Sequence, residues 1–406
     1  MADKKKKSSS FKSFFLVWWI YTLASKIWCL FTGCLRSITK VFKNRNKKEG
    51  CLVLYNHTSN KDHFITTAAF NYTRVNYVIT KHFYYNKTLK NLLKIVKTIP
   101  RDQFKSDLIS IKAIKRAIDE GRVIAIAPEG QITIHGRLQY IDRAIVKLIR
   151  LCKCDVYGSL IKGGYLAYPK WRMSKRKYPV QNEIIKIFTK EELTTLSDDE
   201  IYDRVVLSLD VNDLENQKIN PIKIRGKSII KGLDNILYYC PKCKSKYTTE
   251  TEGNIMTCTK CHNKVRMNEF GILEPVGPDT VMFESEYEWY KYQKELIIKD
   301  IKKGDYHLEG EFDLYIGSEK TWTIEHAGRG KVVLTNTELY YEGTINGENV
   351  VKQFDLAKMI QLPFDPAIRF DIPCDEGKFE FRPVHNKKLV IEFVQAIDAF
   401  REIRLG

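Results

Sequence analysis

Between residues 51 and 151, short apolar runs alternate with stretches of helical periodicity, and this alternation restricts the possible folds more than any other feature of the chain. Cys51–Tyr55 (CLVLY), Val75–Thr80 (VNYVIT), residues 95–99 (IVKTI) and residues 122–127 (RVIAIA) have strand length and β-branched or aromatic content. Residues 64–70, 107–119 and 143–151 read as helices; in the second, Leu108, Ile111, Ile114 and Ile118 share one face. Such alternation implies an α/β layer with a mixed or parallel sheet. The loops leaving the strands then gather at one cleft, where sites in open sheets lie. With 406 residues the chain has room for two to four domains.

The first strand ends in a polar turn, Asn56 to Lys61, which carries His57 and leads to Asp62. A histidine exchanges protons near neutral pH, and a carboxylate on its far nitrogen fixes the tautomer and steadies the imidazolium. The pair therefore suits general-base chemistry. The same residues also fit a polar turn with a capping Asp and a surface His.

Three later stretches weigh on that choice. Ile99-Pro100-Arg101-Asp102 closes a strand; Ala127-Pro128-Glu129-Gly130-Gln131 closes another; and residues 155–171 (DVYGSLIKGGYLAYPKW) form an apolar strand followed by a Gly-Gly-Tyr turn. Together with the His-(four residues)-Asp turn, these blocks resemble, in order, those of the glycerolipid acyltransferase superfamily, which includes the lysophosphatidic acid acyltransferases. The resemblance spans roughly residues 44–221. It implies His57 as the base, Asp62 as its orienting partner, Arg101 as the contact to the acceptor phosphate, and Glu129 with Gly130 lining the acceptor site. The third block departs from the family's Phe-Pro-Glu-Gly-Thr-Arg: Ala127 replaces the aromatic, Gln131 the Thr, and Ile132 the Arg. Arg137 or Lys162 could supply the missing cation.

Outside this core, residues 1–45 form a basic tail and then a Trp- and Phe-rich helix. Thr22, Ser25, Lys26, Gly33, Arg36 and Lys40 make a polar stripe along it. An apolar face with a basic rim describes an in-plane membrane anchor, preferred over a spanning helix or a signal peptide. The 67 Lys and Arg against 49 Asp and Glu (net +18) suit anionic partners. The cluster Lys170, Arg172, Lys175, Arg176 and Lys177 suits a membrane surface.

Ten cysteines are present, and Cys240, Cys243, Cys258 and Cys261 form two CxxC pairs separated by fourteen residues. This is the spacing of a four-cysteine zinc ribbon with a closed, structural Zn2+. The other six are scattered, which suits a reducing, cytosolic setting. Residues 197–217 read as one polar helix and 284–304 as a connecting helix. From 305 onward, short alternating runs (311–316, 320–326, 331–335, 338–341, 350–354, 359–362, 368–372, 378–382) precede a final helix, 389–404, with one apolar stripe. That order resembles a pleckstrin-homology-like barrel.

The expected architecture is thus an α/β acyltransferase domain (46–222) behind a membrane-associated helix (1–45), then a zinc ribbon (236–270), the connecting helix (284–304) and an all-β barrel closed by a C-terminal helix (305–406). The expected activity is acyl transfer from a thioester, acyl-CoA or acyl-carrier-protein, to the free hydroxyl of a lysophospholipid at the cytoplasmic face of the cell membrane. Nucleic acid is not expected as a partner. The alternative is a membrane-tethered adaptor that keeps a degenerate acyltransferase fold.

Overall fold

The computed structural model describes residues 18–30, 35–36, 45–46, 48–70, 73–104, 107–374 and 377–405. It divides into two compact units. The first comprises residues 1–102, 106–169 and 177–220; the second comprises 103–105, 170–176 and 221–406. The segment 170–176, expected within the α/β domain, groups with the second unit.

The first unit is built on a seven-stranded sheet. Its strands are β1 (Leu35–Arg36), β2 (Cys51–Tyr55), β3 (Val75–Thr80), β4 (Ile99–Arg101), β5 (Val123–Ile126), β6 (Val156–Lys162) and β7 (Gln181–Phe188). The spatial order is β1-β7-β6-β2-β5-β3-β4. From β6 to β4 all neighbours run parallel, and β7 is antiparallel to β6. Central parallel strands are covered on both faces, so their residues read as continuous apolar runs; β2 is buried at all five positions. Leu52, Leu54, Ile124 and Ile126 pack with Ile114 and Ile118 of α4 (Leu108–Asp119), Ile145 and Ile149 of α5 (Ala144–Cys152), and Ile201 and Val205 of α7 (Asp198–Leu209). Tyr55 and Tyr77 belong to another cluster of rings, with His63 and Phe64 of α2 (Asp62–Ala69) and Tyr21 of the helix at 18–30 (α1).

Several sequence expectations are corrected here. Residues 95–99 are not one strand: Ile95 ends a helix, α3 (Lys87–Ile95), capped by the Asn86 side chain, and β4 starts only at Ile99. Residues 197–217 are two helices. Ser197 and Glu200 form a capping box at the start of α7, and the Asn212 side chain caps α8 (Asp213–Ile219). On α1 the polar stripe faces inward: Thr22 and Ser25 are fully buried, bonded to the carbonyls of Trp18 and Tyr21. Its exposed side is Trp19, Ile20, Leu23, Ile27 and Leu30. Gly33 and Lys40, and the side chain of Arg36, lie outside the described residues. No described helix is long and apolar enough to cross a membrane.

The second unit holds a four-stranded antiparallel sheet, β8 (Thr249–Glu252), β9 (Ile255–Cys258), β10 (Lys264–Met267) and β11 (Leu273–Pro275). The helix α9 (Glu286–Lys303) leads to a second sheet of β12 (His307–Ser318), β13 (Thr323–Thr335), β14 (Leu339–Ile345), β15 (Glu348–Phe354), β16 (Phe364–Asp365), β17 (Arg369–Cys374) and β18 (Gly377–Pro383), in the order β15-β14-β13-β12-β18-β17-β16. The barrel expectation is overturned. Among the described residues β15 and β16 are edges with no pairing between them. The last helix, α10 (Leu389–Leu405), packs with β16, β17 and β18 without closing the sheet. It is buried on nearly every side over residues 389–399, including Glu392 and Gln395, rather than along one stripe. Residues 323–335 form one strand where a break was expected, since Gly328 serves close approach and not a turn: a Cβ there would lie 1.8 Å from the Thr344 carbonyl oxygen. Residues 359–362 form no strand, because Arg401 and Arg404 bond the carbonyls of Ile360 and Met359 in place of a ladder.

Candidate active site

His57 and Asp62 come from one loop between β2 and α2. Asp62 is the first residue of α2 and is almost wholly buried. Its Oδ2 accepts from His57 Nδ1 (2.8 Å), Thr58 N–H (2.8 Å) and Ser59 N–H (3.0 Å); its Oδ1 accepts from the Thr58 and Ser59 hydroxyls (2.9 and 2.7 Å). The loop is thus wound around a carboxylate, as free amides ahead of a helix favour. Nδ1 of His57 is engaged, which leaves Nε2, on a side chain 23% exposed, to face a substrate. The neighbouring His63 is no rival base. It stacks among Tyr21 and Phe64, and burial pushes it down to about 4.

The main chain of His57 is held from a second strand. Its N–H donates to Glu129 Oε1 (2.6 Å) and its carbonyl accepts from Thr133 N–H (2.8 Å). Glu129 Oε2 takes the N–H of Gln139 (2.7 Å). Glu129 was expected to line the acceptor site; it borders the same recess as His57, but both its oxygens are engaged by backbone donors. Gly130, at φ +70°, closes the turn by donating to the Ala127 carbonyl. Burial pushes the Glu129 carboxyl up to about 8, against the pull of those two donors.

That shift has a testable sign. The folded carboxyl titrates above its ordinary 4.5, so its contribution to stability is full below pH 4.5 and is lost as pH rises through about 8. Between pH 6 and 8 the protein should lose stability relative to Glu129→Gln, by up to about 1.4 kcal/mol per pH unit. Denaturant unfolding at stepped pH measures this; parallel curves for the two proteins would show that Glu129 is ionised throughout.

Asn56, Thr133, Gln139 and Asp213 carry no motif that marks them as part of the site. Asn56 bridges β2 to β6, donating to the Ile161 carbonyl (2.8 Å) and accepting from its N–H (2.7 Å). Asp213, buried and pushed up to about 6 by that burial, accepts from the N–H groups of Gly163 and Tyr165. Only a buried Asn or Asp beside a turn could have signalled these, and burial is not visible in a sequence.

The remaining cations sit apart. Arg101 ends β4 on the same carboxyl edge of the sheet but three strands from β2, roughly 14 Å at ordinary strand spacing. Burial lowers its guanidinium from the usual range, opposed by Asp107 and Asp142. Arg137 borders the His57 recess, and its guanidinium grips both oxygens of Asp210 (3.3 and 2.8 Å). Lys162 ends β6, next to β2, and pairs with Glu183 at 2.8 Å. Cys51, Cys152 and Cys154 are buried thiols pushed up to about 12 by desolvation, unsuited to act as nucleophiles.

Residues 38–162 match the family model described as Acyltransferase. No curated protein matches the chain. Among solved structures, the 1-acyl-sn-glycerophosphate (LPA) acyltransferase PlsC of Thermotoga maritima is similar at 12% identity and a TM-score of 0.39, over 50% of this chain and 79% of that one. The matched stretch includes His57, Asp62, Arg101, Glu129, Gly130, Arg137 and Lys162.

In the second unit the sulfurs of Cys240, Cys243, Cys258 and Cys261 all lie within 4.8 Å of one another. Cys240 to Cys261 is 3.6 Å and Cys243 to Cys258 is 3.7 Å. A tetrahedral Zn2+ with bonds near ~2.3 Å would set its sulfurs about 3.8 Å apart, so the four residues fit the ion. A disulfide would need about 2.05 Å.

Proposed function

We propose that the protein is a membrane-associated O-acyltransferase that moves a fatty acyl group from an acyl thioester to the free hydroxyl of a lysophospholipid such as 1-acyl-glycerol-3-phosphate. The observation that carries this is the His57–Asp62 pair, held through Nδ1 so that Nε2 is not engaged by Asp62, in the turn that follows β2 and within the stretch that matches the Acyltransferase family model. His57 Nε2 takes the hydroxyl proton as the oxygen attacks the thioester carbonyl. The C–S bond breaks, and the imidazolium returns the proton to the departing thiolate. Asp62 holds the tautomer and steadies the imidazolium in between. Acyl-CoA or acyl-carrier-protein is the donor.

Arg101 is assigned to the acceptor phosphate, for which its planar fork suits it. Arg101→Ala should raise the acceptor KM about tenfold or more, the scale of one lost charged contact, and leave the donor KM unchanged. Steady-state kinetics with each substrate varied will show it; equal effects on both would remove Arg101 from the acceptor site. Glu129 is assigned to positioning His57, with Gly130 shaping the turn. Arg137 and Lys162 reach the acceptor only by exchanging Asp210 and Glu183 for phosphate.

The outward apolar side of α1 supports an in-plane anchor, and we assign the cleft to the cytoplasmic face of the cell membrane. The four-cysteine cluster is assigned a structural Zn2+ with no part in acyl transfer, as the metal of a zinc ribbon. The C-terminal sheet with its last helix keeps a pleckstrin-homology-like order of elements, with an open edge. The deciding experiment is a screen of acyl-CoA and acyl-carrier-protein donors with lysophospholipid acceptors, using purified protein in vesicles. Free-thiol release and product mass are read. Thiol release that depends on the lysophospholipid supports the enzyme; none with any pair supports the adaptor.

A further inference from the structure

We propose that the zinc ion bound by Cys240, Cys243, Cys258 and Cys261 is a latch that keeps α10 seated in the second unit, an inference that rests on the zinc assignment above. The two CxxC turns are copies of one bracket. In the first, Lys244 N–H donates to the Cys240 carbonyl (2.9 Å) and Cys240 N–H to the Ser245 carbonyl (3.0 Å). In the second, His262 N–H donates to the Cys258 carbonyl (2.9 Å) and Cys258 N–H to the Asn263 carbonyl (2.9 Å). The residue after each second cysteine, Lys244 or His262, takes a left-handed conformation (φ +61° and +56°). Backbone N–H groups also point at the sulfurs: those of Lys242 and Cys243 at Cys240, those of Lys260 and Cys261 at Cys258. Such donors spread thiolate charge around a metal. Two matched brackets whose sulfurs meet at tetrahedral spacing are a built site.

What the first bracket delivers is the new point. Directly after it, Lys246 and Tyr247 reach Glu392, which lies in the first turn of α10 and is 0% exposed. Lys246 Nζ lies 2.5 Å from Oε1, and the Tyr247 hydroxyl donates to Oε2. Tyr247 sits at φ +62°, its N–H bonded to the Tyr238 carbonyl (2.6 Å) and its ring stacked on Tyr238. A strained, non-glycine backbone persists only where its surroundings over-determine it. The bracket supplies that constraint from one side, and α9 supplies it from the other: Trp289 Nε1 donates to the Tyr239 carbonyl (2.9 Å) and Gln293 to that of Ile236 (2.9 Å). Removing the partners of a buried carboxylate leaves it uncompensated and strongly destabilises its surroundings. Losing the metal frees the bracket, withdraws Lys246 and Tyr247, and leaves Glu392 unpaired inside the unit.

The test uses the full chain. Plasma mass spectrometry should find about one zinc per chain, and cobalt in its place should give the absorption of a four-thiolate site. Hydrogen exchange is then followed over α10, with and without a chelator. Stripping the zinc, or Cys261→Ser, should speed α10 exchange about tenfold or more, while β2 and β5 of the first unit keep their rates. Glu392→Gln should retain the zinc and still loosen α10, which carries the test if the cysteine variant fails to fold. A protein that takes up neither zinc nor cobalt overturns both the zinc assignment and the latch. A zinc-loaded protein whose α10 exchange ignores stripping overturns the latch alone, as does an unaltered α10 in Glu392→Gln.

Discussion

Replacing His57 with alanine should lower kcat/KM for acyl transfer by roughly two to four orders of magnitude, the range of a general base, with only the small loss of thermal stability that follows from removing one of the five donors to Asp62. His57 holds its place through main-chain bonds to Glu129 and Thr133, which alanine keeps. Activity within tenfold of the parent would reject His57 as the base. Asp62→Asn should cost activity on a similar scale for a different reason. Five donors converge on the Asp62 carboxylate, and an amide replaces one accepting oxygen with a donor that faces them. That variant should therefore also lose a few kcal/mol of stability, which separates it from His57→Ala in the same melt.

Gly164→Ala should inactivate the enzyme without touching either residue of the pair. A Cβ at Gly164 would fall 2.0 Å from Thr58 Oγ1 and 2.8 Å from Thr58 Cβ. Thr58 holds Asp62 through both its N–H and its hydroxyl, so displacing it turns the carboxylate away from His57. A shift of about 1 Å at a reacting group costs about 100-fold, and kcat should fall by at least that much. KM for the acyl donor should change little. An active Gly164→Ala protein would mean that the 58–62 loop can move without loss, and that the observed geometry is not the one that reacts.

Much of the first unit was legible because each layer carries its own periodicity. Cys51–Tyr55 and Val75–Thr80 stand at the strand bounds read from β-branched and aromatic runs, and α4 begins at Leu108, one residue inside the helix read at 107–119, with Asp107 as its cap. The His57–Asp62 contact was also readable, since five residues across a strand-to-helix turn leave the two side chains little choice. What failed were stretches where a side chain or a distant partner overrides local pattern. Asn212 splits an apparently continuous helix, and Arg401 with Arg404 takes the carbonyls of a would-be strand. The orientation of α1 failed for a related reason. Thr and Ser hydroxyls can return to the helix's own carbonyls, so a polar stripe need not face water. The grip of Glu129 on the His57 backbone was invisible, because a Pro-Glu-Gly turn does not say what its carboxylate will touch.

The proposed base and its orienting acid arise within a single loop, and among the described residues their imidazole–carboxylate contact draws on no other strand. Any side chain that selects one acceptor over another must come from elsewhere along the sheet edge. Reactivity and selectivity are thus carried by separable segments, so changing the 131–132 dipeptide should alter acceptor preference while the proton-transfer pair stays intact.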